Sequence, residues 1–162
     1  MRQLSKRTVY CLRALYALAR KEGEGPVLIT QLADEESIPK RFLEQILLAL
    51  KSSGIVISKK GKGGGYSLAQ PAETITLASV IRVMEGPLAP LPCASETRFR
   101  PCDECVDVET CGTRIIMREV RDSIAEILER TTLANVCHKV DLAVSKQHRI
   151  ARTKKRKHET IG

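Results

Sequence analysis

Four of the six cysteines crowd into one short segment with the spacing Cys93-x8-Cys102-x2-Cys105-x5-Cys111. Thiolates are soft ligands, and four of them together suit either Zn(II) or an iron–sulfur cluster. One tight pair with two looser members differs from the two tight pairs of most structural zinc sites, and from the cysteine run of bacterial ferredoxins. The spacing therefore predicts a metal or cluster site without choosing between them. Redox-active or unrelated thiols are the alternative.

The remaining candidate ligands and nucleophiles give no second site. Cys11 falls on the apolar face of a predicted helix and is expected in the core. Neither Cys11 nor Cys137 is expected to bind a metal, and the three histidines, in or near the C-terminal segment, are expected at the surface. The sequence shows no Ser-His-Asp arrangement, no paired carboxylates in a pocket context and no cofactor fingerprint. We therefore expect neither an enzyme nor a small-molecule substrate.

The elements that precede the cysteines predict a helix-turn-helix. Apolar residues recur at helical spacing over 5–20, and Gly and Pro follow. A short helix is expected over 31–36 with Thr30 as its N-cap, and a second over 39–52 with Pro39 as its first residue. Phe42 and the aliphatic residues of the second helix should point inward. This leaves a polar outer face of Lys40, Arg41, Glu44, Gln45 and Lys51, as in a DNA-reading helix.

A predicted β-hairpin follows, with strands over 55–58 and 66–68. Its tip reads Lys59-Lys60-Gly61-Lys62-Gly63-Gly64-Gly65. The glycines permit a close backbone approach and the lysines supply charge for phosphates, as in the wing of a winged helix. A flexible linker or a nucleotide cradle is the alternative, but the strand–loop–helix context of such a cradle is missing because a strand follows the loop.

The C-terminal half is expected to hold a helix over 76–85, an irregular cysteine loop over 87–112 and a long helix over 113–134. In the long helix, apolar residues repeat at coiled-coil spacing (Met117, Val120, Ile124, Ile127, Thr131 and Ala134). This pattern favours a homodimerisation helix, since helix-turn-helix proteins commonly bind paired half-sites as two-fold dimers. An intramolecular core helix is the alternative.

Composition and charge limit the remaining choices. The 162 residues are 43% hydrophobic but only 3% aromatic, which favours an aliphatic helical core. No apolar run approaches the roughly 20 residues that span a bilayer, so no membrane partner and a cytoplasmic location are expected. The net charge of +8 is concentrated in the tail, which we expect to be disordered over 136–162. It holds seven basic residues and no acid between positions 146 and 158: Lys146, Arg149, Arg152, Lys154, Lys155, Arg156 and Lys157.

The chain resembles the Rrf-type winged-helix transcriptional regulators, a family that includes iron–sulfur, nitric-oxide, iron and cysteine regulators. The resemblance spans roughly residues 1–135, and the last two of its four segments are quite specific when they occur in this order. The segments are YCLRALYALA (10–19), ITQLA (29–33), IPKRFLEQILLAL (38–50) and GKGGGYSL (61–68).

The resemblance implies a mainly α fold with a small β-hairpin wing, namely a winged helix-turn-helix plus a long dimerisation helix. Within one domain over 1–135, the DNA-binding part would cover about 1–70. The resemblance further implies a repressor that binds double-stranded DNA as a homodimer and senses iron–sulfur, redox or nitric-oxide status. The expected DNA-contacting residues are Lys40, Arg41, Glu44, Gln45, Lys59, Lys60, Lys62, Gly64 and Tyr66.

The resemblance also turns the open metal prediction into a specific one, a 2Fe–2S or 4Fe–4S cluster. Members with three cysteines recruit a fourth ligand, such as a histidine three positions after the last cysteine, where this chain has Arg114. A fourth cysteine makes such recruitment unnecessary. Ligation is therefore expected from Cys93, Cys102, Cys105 and Cys111, with structural zinc or a redox-thiol loop as the alternative.

Overall fold

The computed structural model describes residues 4–159, with side chains to residue 147. These residues form helices, one antiparallel hairpin and the loops that connect them. The predicted class, mainly α with a β-hairpin wing, is confirmed. The elements are α1 (Lys6–Arg20), α2 (Ile29–Glu35), α3 (Lys40–Ser52), β1 (Val56–Lys59), β2 (Gly65–Leu68), α4 (Leu77–Glu85), a 3₁₀ turn (Pro92–Ala94), α5 (Gly112–Arg130) and α6 (Leu133–Glu159).

Helix α1 lies at the centre of the fold, in contact with α3, α4, α6 and β2. The core around it is aliphatic, as the composition indicates, and Cys11 is fully buried in it as predicted. Removal of these side chains from water is the main source of stability. The largest of the fully buried side chains are Leu15, Leu32, Leu43, Ile46, Leu47, Leu50 and Leu133.

The starts of α2 and α3 differ from the prediction by one or two residues. Helix α2 begins at Ile29 after Leu28, without a side-chain cap, so the prediction that Thr30 caps it is wrong. Val27 explains the earlier start, because its backbone already pairs with Tyr66 and ends extended structure at that point. Pro39 is the residue before α3 rather than its first residue. Its carbonyl accepts the Leu43 amide at 3.0 Å.

The long helix predicted over 113–134 is two helices. Helix α5 ends at Arg130, and α6 begins at Leu133. Between them Thr132 forms an antiparallel bridge with Thr76, and the Thr131 carbonyl accepts the Leu77 amide at 2.8 Å. The predicted seam therefore ends at Ile127, because pairing with the start of α4 replaces the last helical turn.

The segment expected to be disordered over 136–162 is helical from Leu133 to Glu159. Its first half packs on α1, where the Cys137 thiol lies 3.8 Å from the Tyr16 carbonyl and Asp141 pairs with Arg20 at 3.6 Å. These contacts stabilise the helix, which repulsion between like charges would otherwise destabilise. The side chains of the basic cluster beyond Lys146 lie outside the described residues. No helix in the described part of the chain is both long and apolar enough to cross a membrane.

Candidate functional site

The turn between α2 and α3 is held in a specific conformation by its own backbone and by α1. Ser37 adopts a positive φ of 50°, rare for a residue with a side chain. The Ile38 amide returns to the Ala33 carbonyl at 2.9 Å, and Arg13 of α1 donates to the Glu36 carbonyl. The turn therefore fixes the angle at which α3 leaves α2. The sequence predicts a helix break at Ser37-Ile38-Pro39, but it does not indicate the positive φ of Ser37 or the contact from Arg13.

Helix α3 divides into a buried and an exposed face, as a reading helix requires. Leu43, Ile46, Leu47 and Leu50 are fully buried. Lys40, Arg41 and Gln45 are exposed and Glu44 is half-buried, so all four predicted contact residues of this helix can reach solvent on one side. Phe42 is not the core residue expected. Its ring packs edge-on against Tyr10, with the centroids 5.7 Å apart, and remains 37% exposed.

The wing is a four-pair hairpin that a third segment extends. Val56 pairs with Leu68, and Lys59 pairs with Gly65 at the tip. Tyr66 also exchanges two backbone hydrogen bonds of 2.8 Å with Val27 on its other side. This third segment, missed from the sequence, anchors the base of the wing next to α2. The Tyr66 side chain is half-buried there, and its two backbone hydrogen bonds with Val27 hold the wing in place.

Two glycines at the tip are needed for close backbone approach. A Cβ at Gly64 would collide with the carbonyl oxygen of Lys59, and one at Gly65 with that of Val27. Gly65 also has a positive φ of 152°. Gly64 is buried, and glycine is needed there because the surrounding backbone leaves no room for a Cβ. The wing's lysines, Lys59, Lys60 and Lys62, are all exposed.

One side-chain contact ties the reading helix to the wing. The ammonium of Lys51, at the end of α3, donates to the Ser58 hydroxyl of β1 at 2.7 Å. The Ile55 amide also returns to the Leu50 carbonyl at 2.9 Å. The exposed cations of α3 and of the wing therefore belong to one connected unit. Such a unit can place several positive charges along a phosphate backbone at once.

The cysteine loop brings two of its four thiols into contact. The Arg100 amide donates to the Pro92 carbonyl at 3.3 Å and folds the loop back on itself. As a result, the sulfurs of Cys93 and Cys102 lie 3.9 Å apart. Cys93 is buried and Cys102 is exposed. The hydrogen bond with Cys93, together with electrostatic repulsion from it, raises the pKa of the Cys102 thiol.

The other two cysteines flank this pair. The Cys105 amide donates to the Cys102 carbonyl at 3.2 Å in a tight turn, and Cys111 is the residue before α5. Both are half-buried. Among residues 4–147, no three Cys, His, Asp or Glu side chains converge closely enough to hold a metal ion. The structure therefore assembles one pair of the four predicted ligands and places the other two nearby in sequence.

The donor set nevertheless fits a metal or cluster. Two thiolates about 2.3 Å from one tetrahedral metal ion are separated by roughly 3.8 Å, close to the Cys93–Cys102 distance of 3.9 Å. Cys102 and Cys105 share one turn, and the segment around them is exposed to solvent and lacks regular structure. The Cys93–Cys102 separation is therefore the part of the donor set that already matches a metal site.

Two arginines of α5, missed from the sequence, hold the buried end of the loop. Arg114 donates to the Cys93 carbonyl at 3.1 Å and to the Val108 carbonyl at 3.1 Å, and its guanidinium lies over the Phe99 ring. Arg121 is buried and donates to the Ala94 carbonyl at 2.8 Å. Their seven-residue spacing, which puts both on one side of the helix, was the available signal.

Helix α5 leaves most of its apolar residues uncovered. Arg121 is the one buried residue of this helix in the described chain. The side chains of Ile116 and Ile127 are each 52% exposed. The half-buried Val120 and Ile124 lie along the same side of the helix. A continuous apolar stripe on a surface helix is typical of a protein–protein interface.

Comparison with known proteins agrees with this architecture. The sequence profile described as Rrf2, iron-dependent transcriptional regulator, matches residues 4–139. An rrf2-like HTH-type transcriptional regulator of Rhodobacter capsulatus is 36% identical over 136 residues, which cover 82% of this chain and 91% of that protein.

Two solved structures are similar along most of their length. That of CymR, the global cysteine regulator of B. subtilis, superposes with a TM-score of 0.72 at 29% identity, over 86% of this chain and 98% of that one. That of T. potens IscR gives 0.68 at 30% identity, over 88% and 90%. The winged helix-turn-helix is therefore confirmed, and the family's members are regulators rather than enzymes. This chain belongs to the Rrf2 family of HTH-type transcriptional regulators.

Proposed function

We propose that the chain is a cytoplasmic, sequence-specific DNA-binding repressor. The observation that carries the proposal is the Lys51–Ser58 contact, which joins the exposed face of α3 to the lysine-bearing wing. Lys40, Arg41, Lys59, Lys60 and Lys62 would contact phosphates. Glu44 and Gln45 would contact base edges in the major groove, where Gln pairs with adenine and Glu accepts from cytosine. Gly64 and Tyr66 would hold the wing in place.

Salt-dependent binding tests this division of roles. With an operator fragment selected from random duplexes, Lys62→Ala should weaken binding to all sequences alike and lower the salt slope by about 1 for each protomer bound. Gln45→Ala should leave the slope unchanged and relax the preference at one base pair, by about 1–3 kcal/mol. Arg118→Ala, which removes an exposed cation on α5, is the control and should change neither. If the control lowers the slope as much as Lys62→Ala does, the wing has no special role.

We propose further that the regulator acts as a homodimer through the exposed stripe on α5. Two copies related by a two-fold axis would bury this stripe and present two α3 helices to successive major grooves. The length of the apolar seam and its exposure in the single chain support the proposal. Helix α6 (Leu133–Glu159) follows the C-terminal end of α5 and carries the basic cluster. This cluster would add sequence-independent attraction to DNA.

The cysteine loop is the proposed sensing element. Cys93, Cys102, Cys105 and Cys111 would hold an iron–sulfur cluster, which supplies sensitivity to oxidants, nitric oxide or iron supply when bound. Arg114 and Arg121 connect the loop backbone to α5. A change in the loop would therefore act on the dimer helix, and through it on the separation of the two reading heads. Such coupling is typically about 1–3 kcal/mol.

An anaerobic visible spectrum with iron, sulfide and zinc analysis tests the cluster. Wild-type protein and Cys137→Ala should contain iron and sulfide in near-equal amounts, whereas Cys105→Ala should lose visible absorption. Zinc without sulfide would establish the alternative, a structural metal that holds the loop. The DNA-binding proposal would be unaffected by that outcome.

A regulator with reactive thiols and no cluster is the second candidate. The observation in its favour is the 3.9 Å contact of Cys93 and Cys102, together with the structural likeness to CymR, itself named a global cysteine regulator. Protein that contains neither iron, sulfide nor zinc, but whose affinity for DNA changes with thiol oxidation, would establish this reading.

A further inference from the structure

We propose that Cys93 and Cys102 form a specific intramolecular disulfide when the loop carries no metal, and that this disulfide and the cluster exclude each other. The inference rests on the proposed cluster site, since it assigns a second chemical state to two of its ligands. It names a hydroperoxide as the oxidant. The starting observation is the contact between the two free sulfurs at 3.9 Å.

The two thiols differ in a way that assigns their roles. Exposure, not acidity, distinguishes Cys102, since its contact with Cys93 raises its pKa; an oxidant in solution reaches it first because it is exposed. Cys93 is 4% exposed, and its own contact with solvent is too small for direct reaction. A buried thiol beside an exposed one is arranged to resolve a sulfenic acid on its neighbour before a second oxidation occurs.

The reaction balances with hydrogen peroxide as the hydroperoxide. The Cys102 sulfur attacks one peroxide oxygen, so that an S–O bond forms, the O–O bond breaks and water leaves. The Cys93 sulfur then attacks the Cys102 sulfur; an S–S bond forms, the S–O bond breaks and a second water leaves. The two thiols lose two electrons and two protons, and the peroxide is reduced.

Among the described residues, Cys93 and Cys102 are the two cysteines whose sulfurs are in contact. The Cys93 end is held by Arg114 and Arg121, so it stays in place while the exposed turn that carries Cys102 moves. The two sulfurs are now 3.9 Å apart. To form a disulfide bond of about 2.05 Å they must approach each other by roughly 1.9 Å.

The consequence is a loop that cannot take up a cluster until it is reduced. A disulfide removes two of the four thiolates, and the remaining two cannot hold a cluster by themselves. Peroxide that reaches the metal-free protein would thus produce a reversible disulfide. This disulfide also protects Cys102 from irreversible oxidation.

Peptide mapping identifies the partners directly. Metal-free, reduced full-length protein is treated with one equivalent of hydrogen peroxide, blocked with an alkylating agent and digested with trypsin and an Asp-specific protease. These cuts separate all four cysteines, since acidic residues lie between Cys102, Cys105 and Cys111. The resulting peptides are 83–98, 99–102, 103–106 and 107–114.

The expected product joins peptide 83–98 to peptide 99–102 and has lost two hydrogen atoms relative to the dithiol. Cys105→Ser should form the same product, whereas Cys93→Ser should stop at sulfenic acid on Cys102 and give sulfinic acid there when a second equivalent of peroxide is added. Linkage of 83–98 to either other peptide, or sulfinic acid on Cys102 in the wild type, would overturn the assignment.

Cluster loading separates this inference from the function on which it rests. Reduced and peroxide-treated samples are each mixed, without air and without a thiol reductant, with a small-molecule complex that carries a preformed iron–sulfur core. Visible absorption should develop in the reduced sample and appear in the oxidised one only after a reductant is added. Equal loading of both samples would refute the mutual exclusion. Failure of the reduced sample to load would refute the proposed cluster and leave the peptide map as an independent result.

Discussion

Arg121 of helix α5 donates a hydrogen bond to the carbonyl oxygen of Ala94, with 2.8 Å between nitrogen and oxygen. Two turns earlier on the same helix, Arg114 makes the equivalent contact with Cys93 at 3.1 Å. The buried end of the cysteine loop is therefore bonded to the helix that carries the apolar stripe. Any rearrangement at Cys93 or Ala94 acts directly on α5, which gives the proposed sensing element a physical route to the proposed dimer interface.

Replacing Arg121 with alanine should destabilise the protein by about 1–3 kcal/mol, because the Ala94 carbonyl is left buried without its donor. Urea unfolding at fixed protein concentration measures the change. Arg118→Ala is the matched control, since Arg118 lies on the same helix and is exposed; it should cost less than about 0.5 kcal/mol. Equal losses in both variants would mean that the contact with Ala94 contributes nothing specific.

The apolar stripe on α5 gives a second prediction. Ile127→Glu should weaken dimerisation by at least about tenfold, since it places a charge in the proposed interface. Ile127 is 52% exposed in the single chain, so folding of the monomer should tolerate the change. Sedimentation over a range of concentrations measures the dissociation constant.

The control for that measurement is Ile115→Glu. Ile115 is 46% exposed, a similar fraction, but it lies on the opposite side of α5, among polar residues. It should leave the dissociation constant unchanged. If Ile115→Glu dissociates the dimer and Ile127→Glu does not, the interface lies on the other side of the helix.

How far the sequence predicts this fold depends on whether the cause is local. The reading helix and the wing follow from apolar periodicity, Pro39 and the glycines at the tip, which act within a few residues. The end of α5 does not, because Thr131 and Thr132 are withdrawn from the helix by pairing with α4, far away in sequence. The helical spacing of the sequence continues through both threonines and does not indicate that the helix ends before them.

The candidate site shows the same division. Exposure of Lys40 and Gln45 follows from their position on an amphipathic helix, whereas the closeness of Cys93 and Cys102 depends on how the intervening residues fold back. Arg121 had the charge of a surface residue, yet it is buried because a loop carbonyl lies above it. Spacing identifies the cysteines as a set, but it cannot say which two meet first.

The wing glycines give a third prediction. Gly65→Ala should reduce DNA affinity at least about tenfold, because its Cβ meets the Val27 carbonyl and its positive φ disfavours any side chain. Displacement of the wing base should also lower thermal stability. Gly112→Ala is the control, since a Cβ there meets open space and the backbone is helical. Unchanged DNA binding by Gly65→Ala would show that the wing does not take part in recognition.

Cys11 gives a prediction of pH dependence. Burial raises the pKa of its thiol from 9.0 to about 12, against a smaller lowering by the charge of Arg7. Above the ordinary pKa the thiol of the unfolded chain loses its proton while that of the folded chain keeps it. The free energy of unfolding should therefore fall as pH rises from about 9 toward about 12, by up to roughly 1.4 kcal/mol per pH unit from this group.

Urea unfolding of wild type and Cys11→Ala between roughly pH 8 and pH 10.5 isolates this contribution. The variant should be less stable at the lower pH because it loses packing in the core, but its stability should decline less steeply as pH rises. Ile46→Val, which also shortens a fully buried side chain without removing a titrating group, should keep the wild-type slope. Parallel slopes for wild type and Cys11→Ala would mean that the thiol is not held neutral by burial, and that the α1 core admits water at this position.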